Sequence, residues 1–364
     1  MKPYTDEHGG GSAFSETTPQ MSFINLDTAD TFFSAPSIDI SGYDKIIVAT
    51  SGGKDSLVCL LHLLDLGARK DQLEIWHHLA DGNEGSTLMD WLFTKDYLRQ
   101  IAALFDLPIY FSWLEGGFEG EMLKQNSLSR PHKIETPDGL LTLPRDVRRS
   151  KPATRLKFPQ MAASLSVRWC SAALKIDVGR RALNNQARFD GKRILFVSGE
   201  RREESSNRAK YNQLAIHACD RRNGRKALRV DEWRPVLHWS ESEVWALLER
   251  HRVIAPVPYR IGFSRYSCQC CIFNSARTWA TIARYFPDRA RTIANYENQF
   301  GITISRNKSN VLEIANSALP FEVDDTEALE QALSEVYSLP IQLAKGETWV
   351  IPPGAHSKES CGSV

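Results

Sequence analysis

The sequence predicts an α/β protein, a parallel sheet with helices on both faces, joined to a smaller and mainly helical C-terminal region. Short apolar, β-branched runs at residues 45–50, 73–79, 108–113 and 193–198 have the length and composition of buried strands. Stretches with apolar residues at helical spacing lie between them. Strand and helix alternating at these lengths imply right-handed crossovers and hence a parallel sheet.

In order along the chain, residues 1–40 are polar and rich in Gly, Ser and Thr, and read as a flexible arm. The core, residues 41–260, opens with the strand at 45–50, which runs into Ser51-Gly52-Gly53-Lys54-Asp55-Ser56. Residues 55–66 read as a helix with Leu57, Leu60, Leu61 and Leu64 on one face and Gly67 as its stop. The second strand precedes Asp81-Gly82, a long helix is expected over 86–105, and the third strand follows. An insertion at about 115–160 breaks the pattern with glycines, prolines and a basic stretch at 144–157, and reads as a flap over the sheet's ligand edge. A helix near 171–186 leads to the strand at 193–198, which ends at Gly199. A helix over 240–251 starts with Ser240 as its cap and Glu243 in the capping-box position. The region 261–350 begins with clustered cysteines, continues as helices and closes with an amphipathic helix at 326–337. Residues 351–364 read as a tail.

Composition narrows the function classes. The chain has 364 residues and a formal charge of +1, so it exerts no global pull on nucleic acid or membrane. No apolar run approaches the ~18 residues of a membrane span, and the N-terminus lacks a signal-peptide pattern. A cytoplasmic protein is expected. The seven cysteines are odd in number, and three fall within four positions, unlike a secreted disulfide framework.

A strand that enters small residues and then a helix points backbone N–H groups and the positive helix end at one spot, an anion site. Here Gly52 and Gly53 allow close approach of a phosphate, Lys54 supplies a cation, and Ser51 and Ser56 supply hydroxyls. The common GxxxxGK[ST] loop would need Gly at position 48 and Ser or Thr at 55, where this chain has Val48 and Asp55. Residues 51–56 instead resemble the PP-loop of the ATP pyrophosphatases. That resemblance implies an adenine nucleotide alpha hydrolase-like fold, ATP as ligand, and cleavage between the α- and β-phosphates.

Further segments resemble the phosphoadenosine phosphosulfate (PAPS) reductase-like family of that superfamily. They are Asp81-Gly82, Arg168-Trp169-Cys170 with Lys175, the stretch Gly199-Glu200-Arg201-Arg202-Glu203-Glu204-Ser205-Ser206-Asn207-Arg208, and Trp233-Arg234-Pro235-Val236 with Trp239 and Glu243. The resemblance implies nucleotide contacts at Ser51, Gly52, Gly53, Lys54, Asp55, Ser56, Asp81, Gly199, Glu204 and Arg208, and catalytic roles for Lys54, Asp55 and Arg201. Guanidinium groups suit phosphate or sulfate because they offer planar paired donors. Mg²⁺ would bridge phosphate oxygens, anchored by Asp55 or Asp81. His77 and His78 alternate on a strand, so one faces the core and the other the edge.

Cys268 and Cys271 form a CxxC with Cys270 inside it, a spacing that fits zinc, an iron–sulfur cluster or a redox pair. The resemblance places Cys170 near the nucleotide site as well, so that three or four of Cys170, Cys268, Cys270 and Cys271 are expected to hold the metal. Cys361 lies in a Glu-Ser-Cys-Gly context with no following His, a departure from the C-terminal Glu-Cys-Gly segment of true PAPS reductases. The resemblance therefore implies ATP activation of an acceptor for sulfur transfer, in DNA phosphorothioation or another nucleic-acid modification, with a cysteine desulfurase as sulfur donor. Arg145, Arg148, Arg149, Lys151, Arg155 and Lys157 offer a basic stretch for a phosphate backbone. The alternatives are a reductase of PAPS or adenosine phosphosulfate, and a nucleotide-binding subunit without catalysis.

Overall fold

A computed structural model of the chain describes residues 31–35 and 37–357. The expected arm is therefore described only from residue 31, and Cys361 lies outside the described residues. Phe32 does not stand free: its N–H donates to the Leu214 carbonyl at 2.9 Å, an edge contact with the sheet.

The core is an eight-stranded sheet in the order β5-β4-β3-β2-β1-β6-β8-β7. Its strands are β1 (Lys45–Ala49), β2 (Leu73–His78), β3 (Ile109–Leu114), β4 (His132–Thr136), β5 (Gly139–Leu143), β6 (Arg193–Val197), β7 (Leu214–Ile216) and β8 (Arg229–Trp233). The strands β3, β2, β1, β6 and β8 are mutually parallel, as the crossover argument requires. The outer strands β4, β5 and β7 run antiparallel, so the sheet is mixed. From β1 the order runs outward in both directions, through β2 on one side and β6 on the other. The C-terminal ends of β1 and β6 therefore border a topological switch point, the place where open α/β sheets bind ligands.

Alternation along β1 loads both faces. Ile46 and Val48 join the larger core with Leu57, Leu60 and Leu61 of α1 (Lys54–Asp65), whereas Ile47 points the other way. On that second face it meets Ile194, Val230 and the Ala182 and Leu183 of α5 (Asp177–Asn184). Helices thus cover both faces, as expected. The larger core also takes in α2 (Thr94–Phe105) and α6 (Glu241–Arg250). It continues without a break into the C-terminal helices α8 (Ala276–Tyr285), α9 (Pro287–Phe300), α10 (Val311–Asn316) and α11 (Thr326–Ala332). The expected capping box on α6 is present: Glu243 N–H donates to Ser240 Oγ at 3.3 Å, and Ser240 N–H donates to the Glu243 carboxylate at 2.7 Å.

Several expectations are corrected. The helix expected from residue 86 begins at Thr94, because two carboxylates capture the preceding backbone. Asp81 Oδ2 accepts the N–H groups of Met89 and Asp90, while Asp90 Oδ2 accepts those of Ala80 and Asp81, and this reciprocal bracket folds residues 80–90 into a loop. The insertion is not a flap. It forms the short helix α3 (Gly117–Met122) and then the β4–β5 hairpin, which lengthens the sheet beyond β3. The helix expected near 171–186 is interrupted: the turn α4 (Trp169–Ser171) passes through a π-helical stretch, Ala172–Ile176, before α5. The last helix stops at Ala332. The start of the expected tail is packed, with Gly354 buried beside the Phe263 carbonyl.

Gly199 fixes how closely β6 approaches α1. A Cβ there would fall 2.8 Å from the carbonyl carbon and oxygen of Asp55, with only backbone to yield. Gly199→Ala should therefore cost about 1–3 kcal/mol, read as a lower midpoint in urea denaturation. A midpoint equal to that of the parent protein would show that this approach is loose.

Candidate functional site

The loop after β1 is held by glycines and hydroxyls. Gly52 has φ +84°, and a Cβ there would meet the Tyr266 ring at 2.6 Å. At Gly53 it would lie 3.1 Å from the Tyr259 hydroxyl. Both glycines are therefore needed for the aromatic cover as well as for close ligand approach. Each loop amide has a hydroxyl acceptor. Ser51 N–H donates to Ser56 Oγ at 3.3 Å, Gly52 N–H to Thr50 Oγ1 at 3.0 Å, Gly53 N–H to Ser51 Oγ at 3.3 Å, and Lys54 N–H to the Tyr259 hydroxyl at 3.3 Å. These donors face the N-terminal end of the twelve-residue α1, where negative charge is favoured. Phosphate oxygens would replace the hydroxyls.

Charge is organised around Asp55. Its Oδ1 accepts from Arg201 Nε at 2.6 Å and its Oδ2 from Lys54 Nζ at 3.1 Å. Burial alone would raise this carboxyl, but Lys54 and Arg201 outweigh it and hold it below the ordinary carboxylate range. Lys54 is itself buried, paired with Glu241 at 3.4 Å, and lies over the rings of Tyr259 and Trp245. Burial works against its charge, yet Tyr259, Asp55 and Glu241 keep its pKa above the usual lysine value. Arg201 also binds Glu203 at 2.8 Å. Glu204 accepts the Arg201 N–H at 2.7 Å and pairs with Arg208.

The loop and the segment after β6 border one cleft of about 590 Å³. Ser51, Gly53, Lys54, Asp55 and Ser56 line it from the loop, and Gly199, Glu204 and Arg208 line it from the segment after β6. Gly52, Arg201 and Asp81 are not among its lining residues. Gly52 lies under Tyr266, and Arg201 stands behind Asp55, bonded to its Oδ1. Asp81 sits in the bracketed loop, its Oδ1 buried without a partner. Both Asp55 oxygens are taken by cations, and Asp81 is off the cleft, so neither carboxylate as placed offers Mg²⁺ an anchor beside the phosphates.

The cleft has members that sequence reasoning missed. Tyr259, Tyr266 and Ser267 reach it from the region after α6, and Arg180 reaches it from α5. Phe196 and His217 contribute a pair of rings with centroids 5.0 Å apart. No local motif marks them; only the tertiary path of the chain brings them to the loop. His77 and His78 both line the cleft. His77 Nδ1 bonds the Thr50 carbonyl at 2.8 Å, and His78 Nδ1 bonds Ser112 Oγ at 2.7 Å. Burial holds both imidazoles low, His78 at about 3.

Of the four cysteines expected to bind metal, Cys170, Cys268 and Cys271 act electrostatically on Lys175, an exposed residue of the π-helical stretch. Their thiols are the main influence raising its pKa, with Cys268 first. Cys270 is fully buried near Arg289 and Asp81, and burial pushes its thiol up to about 12. Among the described residues no three His, Cys, Asp or Glu side chains are grouped so as to hold a metal ion. As placed, the cysteines present no grouped ligand set for an iron–sulfur cluster or zinc among the described residues. Lys175 also lines the cleft that the loop borders, whereas the four cysteines are not among its lining residues. No helix of the described residues is long and apolar enough to cross a membrane.

Residues 146–273 match the family described as the phosphoadenosine phosphosulfate reductase domain. The chain is 30% identical over 141 residues to an uncharacterized 37.8 kDa protein of Escherichia phage 186, covering 39% of each protein. It is 30% identical over 102 residues to the adenosine 5'-phosphosulfate reductase of Allochromatium vinosum, covering 28% of this chain and 34% of that enzyme. The chain thus spans between a third and two fifths of the length of these relatives. Among solved structures, yeast FAD synthetase in complex with FAD superposes with a TM-score of 0.34 at 9% identity, covering 89% of this chain and 81% of that one.

The Asp81 bracket gives stability a pH dependence. Burial, then the charge of Asp90, pushes the Asp81 carboxyl up to about 7, against about 4 in an unfolded chain. The folded state holds this proton more tightly, so the contribution is fully present below about pH 4 and is lost as pH rises toward 7. Asp81→Asn, whose oxygen can still accept both N–H groups, should flatten that decline in urea midpoints measured from pH 4 to 8. An unchanged slope would remove Asp81 as its source.

Proposed function

We propose that this chain is a member of the PAPS reductase-like family of PP-loop proteins, and that it cleaves ATP to AMP and pyrophosphate and so activates an acceptor for sulfur transfer. One observation carries the reading: the loop at residues 51–56 and Lys175, whose charge Cys268, Cys170 and Cys271 favour, line the same cleft. The β- and γ-phosphates would displace the hydroxyls from the amides of Ser51 to Lys54 and lie beside the Lys54 ammonium, which neutralises departing pyrophosphate. Asp55, fixed by Arg201, orients that ammonium. Arg208, held by Glu204, is placed for a further phosphate oxygen. An acceptor oxygen would attack the α-phosphorus and take AMP, and a sulfur nucleophile would then displace AMP.

Magnesium would arrive on the nucleotide, and no step is assigned to a protein-held metal. The acceptor is proposed to be nucleic acid, as in DNA phosphorothioation, with sulfur from a cysteine desulfurase and action in the cytoplasm. Support for the acceptor is the exposed run Arg148, Arg149 and Lys151, next to the half-buried Arg145. Arg155 is not part of that run, since it binds Glu121 at 2.7 Å and covers the Trp169 ring. A second reading, reduction of a sulfonucleotide, is favoured by the similarity to adenosine 5'-phosphosulfate reductase.

Incubation with ATP and Mg²⁺, resolving AMP plus pyrophosphate from ADP plus phosphate, tests the first reading. AMP and pyrophosphate are expected, and ADP as sole product would overturn it. Sulfite release from adenosine phosphosulfate without ATP turnover would favour the second. Lys54→Ala should lower pyrophosphate release by about 10²–10³-fold with the fold retained by circular dichroism. Turnover equal to the parent's in that variant would contradict the role.

A further inference from the structure

At the outer edge of the sheet lies a group of basic side chains that the nucleotide reading leaves unused. His132 of β4 is fully buried, and neither ring nitrogen has a partner. It shares a strand face with Ile134, which packs against Ala182 and Leu183, so His132 lies on the side of the sheet covered by α5. From α5, Arg181 Nη2 donates to the carbonyls of Leu143 at 3.2 Å and Pro144 at 3.0 Å. Leu143 is the strand partner of His132, and Arg145 follows Pro144 directly. The Nε atoms of Arg145 and Arg181 are also buried without partners.

These groups are close enough to act on one another. After burial, which comes first, Arg145, Arg181 and His78 all disfavour a charged His132. Arg145 likewise disfavours charge on Arg181, and Asp177 is the acid that opposes this. Buried donors without acceptors are uncommon because each costs free energy. Here one imidazole and two guanidinium groups, on residues joined through Leu143 and Pro144, carry such unpartnered nitrogens. A carboxylate presents two oxygens, whereas a phosphate presents oxygens in several directions and carries the charge to match two arginines.

We propose that His132, Arg145 and Arg181 form a phosphate-binding subsite, distinct from the loop at residues 51–56. It adjoins the nucleotide cleft through His78, which lines that cleft. Gly179 of α5 lets the helix pass over His78, since a Cβ there would lie 3.0 Å from His78 Nε2. The phosphate belongs either to a phosphomonoester or to a phosphodiester in a nucleic-acid strand.

The test titrates inorganic phosphate by calorimetry into the full chain carrying Lys54→Ala, so that the loop contributes little, and into the same chain with Arg145→Gln added. Binding should weaken at least tenfold on adding Arg145→Gln. A second arm adds a hexathymidylate competitor. Displacement of phosphate supports a subsite that reads strand phosphodiesters, and no displacement supports one that reads monoesters. In the unaltered protein, phosphate should also raise the His132 pKa by a unit or more, followed by imidazole NMR, a readout that needs no variant. Phosphate affinity unaltered by Arg145→Gln, or a His132 resonance indifferent to phosphate, would overturn the proposal. Neither result depends on whether the protein cleaves ATP.

Discussion

Asp55 stands between two cations at the point where the sheet order reverses, and the geometry of the site follows from that placement. Its two oxygens hold Arg201, from the segment after β6, and Lys54, from the loop after β1. The pair of loops is thereby tied across the switch point. Removing one member of such a buried ion pair costs about 3–5 kcal/mol, because the remaining charge is stranded. The clasp also explains the close contact at Gly199, which brings β6 against the first turn of α1. Lys54 and Arg201 keep their charge in a buried setting because Glu241, Glu203 and Glu204 stand beside them. The site thus holds its cations in place through protein carboxylates alone.

The region after α6 completes the loop it covers. Tyr266 closes over Gly52, Tyr259 caps the Lys54 amide, and Trp245 and Tyr259 flank the Lys54 ammonium. Tyr266 in turn bonds Thr94 Oγ1 at 2.9 Å and lies against Phe93 and Tyr97. The cysteine segment follows Tyr266 directly, so the packing that seats the tyrosine on the loop also brings Cys268 and Cys271 toward Lys175. One continuous hydrophobic core therefore sets both the phosphate loop and the thiol group.

Much of the sheet's centre was legible, because buried parallel strands need continuous apolar runs, and β1, β2, β3 and β6 have them. The strand β8 did not show itself. Its sequence, Arg-Val-Asp-Glu-Trp, buries Val230 and Trp233 while Asp231 is satisfied by Arg222 and Arg229, so its charges hid a strand. The β4–β5 hairpin was masked in the same way by the Gly and Pro residues around it. Residues 86–93 were expected to open a helix, but the side-chain carboxylates of Asp81 and Asp90 offered the backbone a better partner. For the site, the resemblance pointed to residues 51–56, Gly199, Glu204 and Arg208, and all of these but Gly52 line one cleft. Arg201 and Asp81 came from the same motifs yet stand behind the cleft, because spacing places a residue on an element without saying which way it turns. Tyr259, Tyr266 and Glu241 lay beyond any motif, since their roles arise from long-range packing.

The most direct measurement of the central claim is a crystal structure of the protein with α,β-methylene ATP, which cannot be cleaved at the bond in question. The account places the β- and γ-phosphates on the amides of Ser51 to Lys54, within reach of Lys54 Nζ, with the Asp55–Arg201 pair intact behind them. Phosphates bound elsewhere in the cleft, with the loop amides still held by the hydroxyls of Thr50, Ser51, Ser56 and Tyr259, would contradict it.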